Sequence, residues 1–291
     1  MKVGLQINRF DYTGGESSIG EHLQRIAVSA EAAGFDSIWV MDHFFQLPNI
    51  GPYTDPMLEA YTTLGYLAGV TKTVKLGTMV TGVIYREPAV LVNAVTTLDV
   101  LSGGRAYFGI GAGWNDQEAK ALGLLDPLNS KRFDRLEDTL QLALQMWQSD
   151  STPFKGKIYS LPEPYLSPQP ISKPHPPILI GGGGEEKTLR FVAKYGDACN
   201  LFARDSALLA HKIDVLKKHC EEQGRSYDDI EKTALVGIDV TSAARDINGT
   251  MQKIDELKSL GIQHAIYAAN KDADPASYEQ FAKIIEQIHS L

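Results

Sequence analysis

The chain has 291 residues, 43% of them hydrophobic and 22% charged, with a formal net charge of −8. That acidity argues against a nucleic-acid or anionic-membrane surface, either of which needs a basic field, and no apolar run is long enough to span a bilayer. Cys199 and Cys220 are too few for a disulfide framework and lack metal-site spacing, so two reduced thiols in a cytoplasmic protein are expected.

Lys2–Ile7 reads as a strand, and no charged and apolar leader precedes it, so no secretion signal is expected. Ile19, Leu23, Ile26, Ala27, Ala30 and Ala33 then recur at three- and four-residue spacings, the period of a half-buried helix. Ser18 with Glu21 reads as its capping box. Ser37–Val40 is a short apolar strand that breaks into Asp42, His43, Phe44 and Phe45. Helices are predicted over Met57–Gly69 and Pro88–Leu101, with strands at Lys75–Val80 and Arg105–Ile110. Phe133, Leu136, Leu140, Ala143 and Trp147 mark a further helix. Beyond it lie strands Pro177–Ile180, Ala198–Phe202, Lys232–Asp239 and His264–Ala268, alternating with helices Glu186–Tyr195, Ser206–Gln223, Asp246–Leu260 and Ala276–Ile288. Asp274 before Pro275 reads as an N-cap followed by proline at the first helical position.

Eight strands, each followed by a helix, predict an α/β fold: a single (β/α)8 TIM barrel occupying residues 1–291, with an insertion before strand 5. An open doubly wound sheet is the structural alternative. The segments EAAGFDSIWV, AKYGDACNLF and KSLGIQHAIY repeat the unit, each placing a glycine (Gly34, Gly196, Gly261) where a left-handed helix end is expected. The insertion, 150–177, carries eight prolines and no helical period, with one short strand expected near Lys157–Leu161. It either covers the barrel mouth or braces a subunit contact.

In parallel α/β folds ligands bind at the C-terminal ends of the strands. Asp42 and His43 stand at such an end, where packing does not require them; the imidazole can carry a proton near neutral pH. The bland alternative is a hydrogen-bonded pair closing a loop. The next strand runs into Thr78, Thr81, Tyr85 and Arg86. Gly109, Gly111 and Gly113 then empty a strand end of side-chain volume, which suggests close approach by another backbone or a flat ligand. Asn115 and Glu118 fit an N-cap with its return partner. ILIGGGGEEKT, residues 178–188, joins a strand to a helix through four glycines, which suits either a phosphate seat or a tight turn. No metal site is expected, because the seven His are scattered and no HxxxH or Cys pair occurs.

These stretches, AGFDSIWVMDHFF, KLGTMVTGVIYREPAVLVNAVTTLDVLSGGR, FGIGAGWNDQE and PPILIGGGGEEKTLRFVAKYGDACNLF, together resemble the bacterial luciferase-like superfamily over essentially the whole chain, most closely its coenzyme F420-dependent branch. The resemblance implies a barrel with cofactor at its C-terminal mouth, commonly a homodimer acting on a small organic substrate. It implies Asp42 against the deazaflavin ring, His43 near the reacting face, and a cis Met79–Val80 bulge leading into Thr81. It implies Gly111 and Gly113 as the glycine wall, and phosphate on Gly182, Gly183, Gly184 and Thr188. The expected pocket walls are Phe44, Phe45, Tyr85 and Trp114. Trp114 stands where the glucose-6-phosphate dehydrogenase relatives carry an acidic Glu, which argues against sugar-phosphate chemistry and leaves His43 as the proton carrier; a core Trp is the other reading of that position. The implied activity is hydride transfer to or from F420. An FMN-dependent monooxygenase and a non-catalytic cofactor-binding barrel are the alternatives.

Overall fold

The computed structural model describes residues 1–124, 131–269 and 275–290. Eight parallel strands form the barrel: β1 (Lys2–Ile7), β2 (Ser37–Val40), β3 (Lys75–Thr78), β4 (Ala106–Gly111), β5 (Ile178–Gly181), β6 (Ala198–Phe202), β7 (Glu231–Asp239) and β8 (His264–Ala268). Each pairs with its neighbour in chain order, and Lys2 opposite His264 joins β1 to β8 and closes the ring. Closure leaves none of the eight with an unpaired edge, which the open-sheet alternative would have exposed.

Alternation of side chains along each strand builds two apolar layers. Inside the ring, Trp39, Met79, Tyr107, Leu179, Ala198 and Ile266 pack together. The opposite faces meet the surrounding helices: Tyr267, next to Ile266, sits edge-on to Phe281 with ring centroids 5.0 Å apart. The helices are α1 (Ile19–Ala32), α2 (Ala60–Val70), α3 (Pro88–Ser102), α4 (Asp116–Ala121), α5 (Arg132–Trp147), α6 (Thr188–Tyr195), α7 (Ser206–Gln223), α8 (Val240–Arg245), α9 (Ile247–Ser259) and α10 (Pro275–Ser290).

Several local expectations are corrected. The Ser18 capping box does not form, because Ser18 Oγ turns back to donate to the Thr13 and Gly15 carbonyls. Helix α2 starts at Ala60 rather than Met57, where the Glu59 side chain caps it by accepting from Thr62 N–H. Gly34 and Gly261 are left-handed, at φ 91° and 83°. Gly196 is not, at φ −81°; a Cβ there would lie 3.1 Å from the carbonyl oxygens of Val192 and Ala198. Strand β3 stops at Thr78, and the Met79–Val80 peptide that follows is cis, as the resemblance implies. Helix α8 is not among the expected elements; Asp239 caps it by accepting from Ser242 N–H, and Val240, Ala243 and Ala244 bury its inner face. Asp274 lies outside the described residues.

The proline-rich insertion is a strap on the outside of the barrel. It contains a small antiparallel hairpin, Phe154–Lys155 with Ser160–Leu161, in place of the expected single strand. The Asp138 carboxylate on α5 gathers the N–H groups of Lys157, Ile158 and Tyr159 at 2.7–3.0 Å. Asp99 on α3 accepts from the backbone and hydroxyl of Ser172. No residue of the strap lines the cavity at the mouth, so the mouth-covering reading is not met.

Candidate functional site

The C-terminal ends of the strands enclose a cavity of about 1270 Å³. Strand β2 delivers Asp42 and His43 to its edge, where the two side chains part. His43 faces the cavity. Asp42 does not: its carboxylate, 1% exposed, turns outward to a two-point pair with Arg86, Nη1–Oδ2 2.6 Å and Nη2–Oδ1 3.0 Å. Burial pushes the Asp42 carboxyl up from its ordinary value, and the Arg86 guanidinium opposes that shift. The expectation that Asp42 touches the ring of a bound ligand is therefore not matched by its position.

His43 is held by Glu118, which the sequence suggested only as the second half of a helix cap. Asn115 does cap α4, accepting from Glu118 N–H through its side chain. The Glu118 carboxylate, however, does not return to Asn115. It is fully buried and lies 2.8 Å from His43 Nδ1. It also accepts from the Tyr85 hydroxyl at 2.5 Å and from the backbone N–H groups of Phe44 and Phe45. Burial opposes its ionisation, but the donors from His43, Tyr85 and Phe44 outweigh it and hold the carboxyl below its ordinary value.

Phe44 and Phe45 do not wall the cavity. Phe44 sits edge-on to Tyr85, centroids 5.4 Å apart, and Phe45 stacks on Tyr53 at 5.0 Å. Tyr85 and Trp114 do line it. Trp114 is 64% exposed, which rules out the core-tryptophan reading, and it meets the His43 ring edge-on at 5.7 Å.

The floor is made by the bulge after β3. Met79 and Val80 line the cavity, together with Gly111 and Gly113. A Cβ on Gly181 would fall 2.7 Å from Val80 Cγ1, and one on Gly111 would fall 3.0 Å from Val80 Cγ2. The valine thus nests between two strands that must be glycine there. Gly109 gives way to backbone, since its Cβ would meet the Thr78 carbonyl oxygen at 1.8 Å. Thr81 lies behind the floor, bonded to Thr78 Oγ1 at 3.0 Å and to the Tyr61 hydroxyl at 2.9 Å, and does not line the cavity.

On the far side, Gly182, Gly183 and Gly184 form a rim that opens into α6, with Thr188 beside them, and all four line the cavity. Gly182 N–H is donated to the Asn200 carbonyl, but the N–H groups of Gly183 and Gly184 and the positive end of a helix favour an anion here. The charge of the cavity wall agrees. Although the chain carries −8, its cavity is lined by Arg9, Arg132, Arg204 and Arg245, with Asp239 the one acid among the described residues. Sequence reasoning passed over these arginines. The available signal was position: Arg9 and Arg204 each stand two residues beyond a strand end. Asn200, inside β6 and bonded to Thr233 Oγ1 at 2.9 Å, lines the cavity and was passed over as well.

Among the described residues no cluster of His, Cys, Asp or Glu could hold a metal, and no helix is long and apolar enough to cross a membrane. Both cysteines are buried free thiols.

Residues 5–287 match the model of the luciferase-like monooxygenase family. A curated relative, the F420-dependent glucose-6-phosphate dehydrogenase of Kineococcus radiotolerans, is 29% identical over 80% of this chain. The chain spans about two thirds (66%) of that relative's length. The F420-dependent tetrahydromethanopterin reductase of Methanopyrus kandleri superposes with a TM-score of 0.78 over 98% of both chains, at 16% identity. An FMN-bound type II Baeyer-Villiger monooxygenase component from Pseudomonas putida does so with a TM-score of 0.75, also over 98% of both chains and at 16% identity. At that identity the two structures speak for the barrel alone.

Proposed function

The chain belongs to the luciferase-like monooxygenase family, and from that premise we propose that it is an F420-dependent oxidoreductase acting on a small organic substrate. The observation that carries the reading is the union, in one cavity, of His43, the Val80 floor and the Gly182–Gly184 rim. The volume admits a tricyclic ring with a phosphorylated tail, and Arg204 and Arg245 suit a ligand of negative charge, Arg9 and Arg132 being paired with Asp11 and Asp116.

Met79, Val80, Gly111 and Gly113 would back the ring, and the N–H groups of Gly183 and Gly184 with the Thr188 hydroxyl would hold the phosphate beside Gly182, whose own N–H is donated to the Asn200 carbonyl. Bound there, the deazaflavin would supply the hydride acceptor or donor at C5, carbon standing where a flavin has its oxygen-activating N5. His43 takes the proton that must leave a substrate hydroxyl as its carbon gives up hydride, and returns it in the reverse direction. Trp114 and Tyr85 wall that side of the cavity beside His43. We read the assembly as a homodimer, which light scattering of the purified protein would measure directly.

Titrating the purified protein with F420 and, separately, with FMN tests the assignment. Micromolar F420 binding with none for FMN is the expected result, with inorganic phosphate competing through the glycine rim. Binding of FMN alone would move the protein to the FMN-dependent monooxygenases of its family. Binding of neither would overturn the enzymatic reading.

A further inference from the structure

Both oxygens of the buried Glu118 carboxylate are fully committed. Oε1 accepts from the Phe44 and Phe45 N–H groups, and Oε2 accepts from the Tyr85 hydroxyl with His43 Nδ1 2.8 Å away. A carboxylate only accepts, so the nitrogen facing it must carry the proton. In the neutral ring the other nitrogen, Nε2, is then bare, on a residue that lines the cavity. We propose that Glu118 is a positioning residue that fixes His43 in its Nδ1–H tautomer, so that Nε2 meets the substrate as a proton acceptor. The ring nitrogen bound by a carboxylate deciding which nitrogen is free for chemistry is a general property of imidazole sites. Burial among four donors also removes the alternatives: the carboxylate cannot swing to solvent, and the imidazole cannot flip without leaving Glu118 Oε2 short of a partner.

The isosteric change Glu118→Gln separates this role from packing. Two backbone N–H groups point at the Oε1 position, and N–H cannot receive an amide NH₂. The glutamine oxygen must therefore sit there, which places its NH₂ against His43 Nδ1 and the Tyr85 oxygen. Nδ1 is then forced to accept, and the proton moves to Nε2. Shape is kept and the tautomer is reversed.

The proposal rests on His43 as the proton carrier for its catalytic meaning, but not for its first test. Two-bond 1H–15N correlation of the imidazole rings in the cofactor-free protein should show Nδ1–H for His43 in the wild type and Nε2–H in Glu118→Gln. Tyr85→Phe, which removes one donor and leaves the His43–Glu118 contact, should keep the wild-type tautomer. An Nε2–H signal in the wild type, or no change in Glu118→Gln, overturns the proposal. With F420 bound, Glu118→Gln should lower kcat for substrate oxidation on the order of 10²–10⁴-fold, while KM and F420 affinity stay within a few-fold. A reversed tautomer with unchanged kcat would sink the catalytic role of His43 and leave the positioning by Glu118 standing. A loss confined to F420 affinity would overturn the positioning role in catalysis.

Discussion

Asp42 and His43 are neighbours in sequence with opposite fates, because consecutive side chains leaving a strand end diverge. His43 enters the cavity and Asp42 leaves it for Arg86, whose Nη2 also bonds Glu59. Arg86 in turn lies over the Tyr61 ring, 4.9 Å from its centroid. This knot ties the end of β2 to the start of α2 and to the loop before α3. Removing one partner of a buried pair costs more than the pair contributes, since the surviving charge stays desolvated. Arg86→Ala should therefore lower stability by about 3–5 kcal/mol, read as a shift in the urea midpoint. Arg86→Lys should recover only part of it, because a point charge cannot reproduce the two-point geometry. His43→Ala should reduce turnover with F420 on the order of 10²–10⁴-fold, and should lower the urea midpoint as well, because it takes a donor from the buried Glu118 carboxylate.

At the scale of elements, the floor depends on three strands agreeing about one valine. The bulge after β3 lifts Val80 over β4 and β5, and both answer with glycine, at 111 and 181. Backbone conformation is not at issue at Gly181, whose constraint is the side chain 2.7 Å away. Gly181→Ala should push Val80 up into the cavity and weaken F420 binding about tenfold or more, a perturbation of at least about 1.4 kcal/mol. Val80→Ala leaves only Cβ, 3.4 Å from the added methyl and in ordinary contact. The double variant should therefore bind better than Gly181→Ala alone. Independent effects that merely add in this double-mutant cycle would refute the nesting. The helix α6 behind the glycine rim and the strap across α3 and α5 play different parts. The first gives Thr188 to the cavity; the second covers apolar helix faces away from it.

The whole barrel divides its two ends between chemistry and stability, as this fold commonly does. At the end opposite the cavity, where the strands begin, Glu231 receives the Tyr107 hydroxyl at 2.8 Å and Lys2 Nζ at 2.9 Å, with His264 Nδ1 3.4 Å away. His264 is bonded to Ser37, which accepts from Trp39 Nε1. Burial works against the charge of Glu231, and His264 and Lys2 overcome it, pushing the carboxyl down to about 2. A folded value below the unfolded one gives stability that is complete above the ordinary glutamate value and is lost as pH falls towards about 2. The urea midpoint should accordingly fall between pH 5 and pH 3. Glu231→Gln should lose about 1–3 kcal/mol at neutral pH and show a shallower fall on acidification. An equally steep fall in the variant would assign the acid sensitivity elsewhere. At the cavity end Arg204 and Arg245 line the opening of an acidic molecule, so affinity for anionic ligands should fall with added salt.

The alternation of apolar strands and helices determined the parallel α/β class, because a strand buried on both faces and a helix half-buried leave distinct periods in the chain. That the sheet closes into a barrel was decided by the pairing of β1 with β8. Four strands match their expected limits, Lys2–Ile7, Ser37–Val40, Ala198–Phe202 and His264–Ala268. The glycines of 109–113 and 181–184 and the His43 position were legible as well, since each breaks the chemistry that its element needs. Glu118 was not. Its local spacing satisfies a helix cap, and only the closing of the barrel brings it to His43, 75 residues earlier in the chain. The outward turn of Asp42 and the gathering of Arg9, Arg132, Arg204 and Arg245 around one opening are of the same kind. Local propensity acts over a few residues, whereas a side chain's partner is set by which strand ends the closed ring makes adjacent.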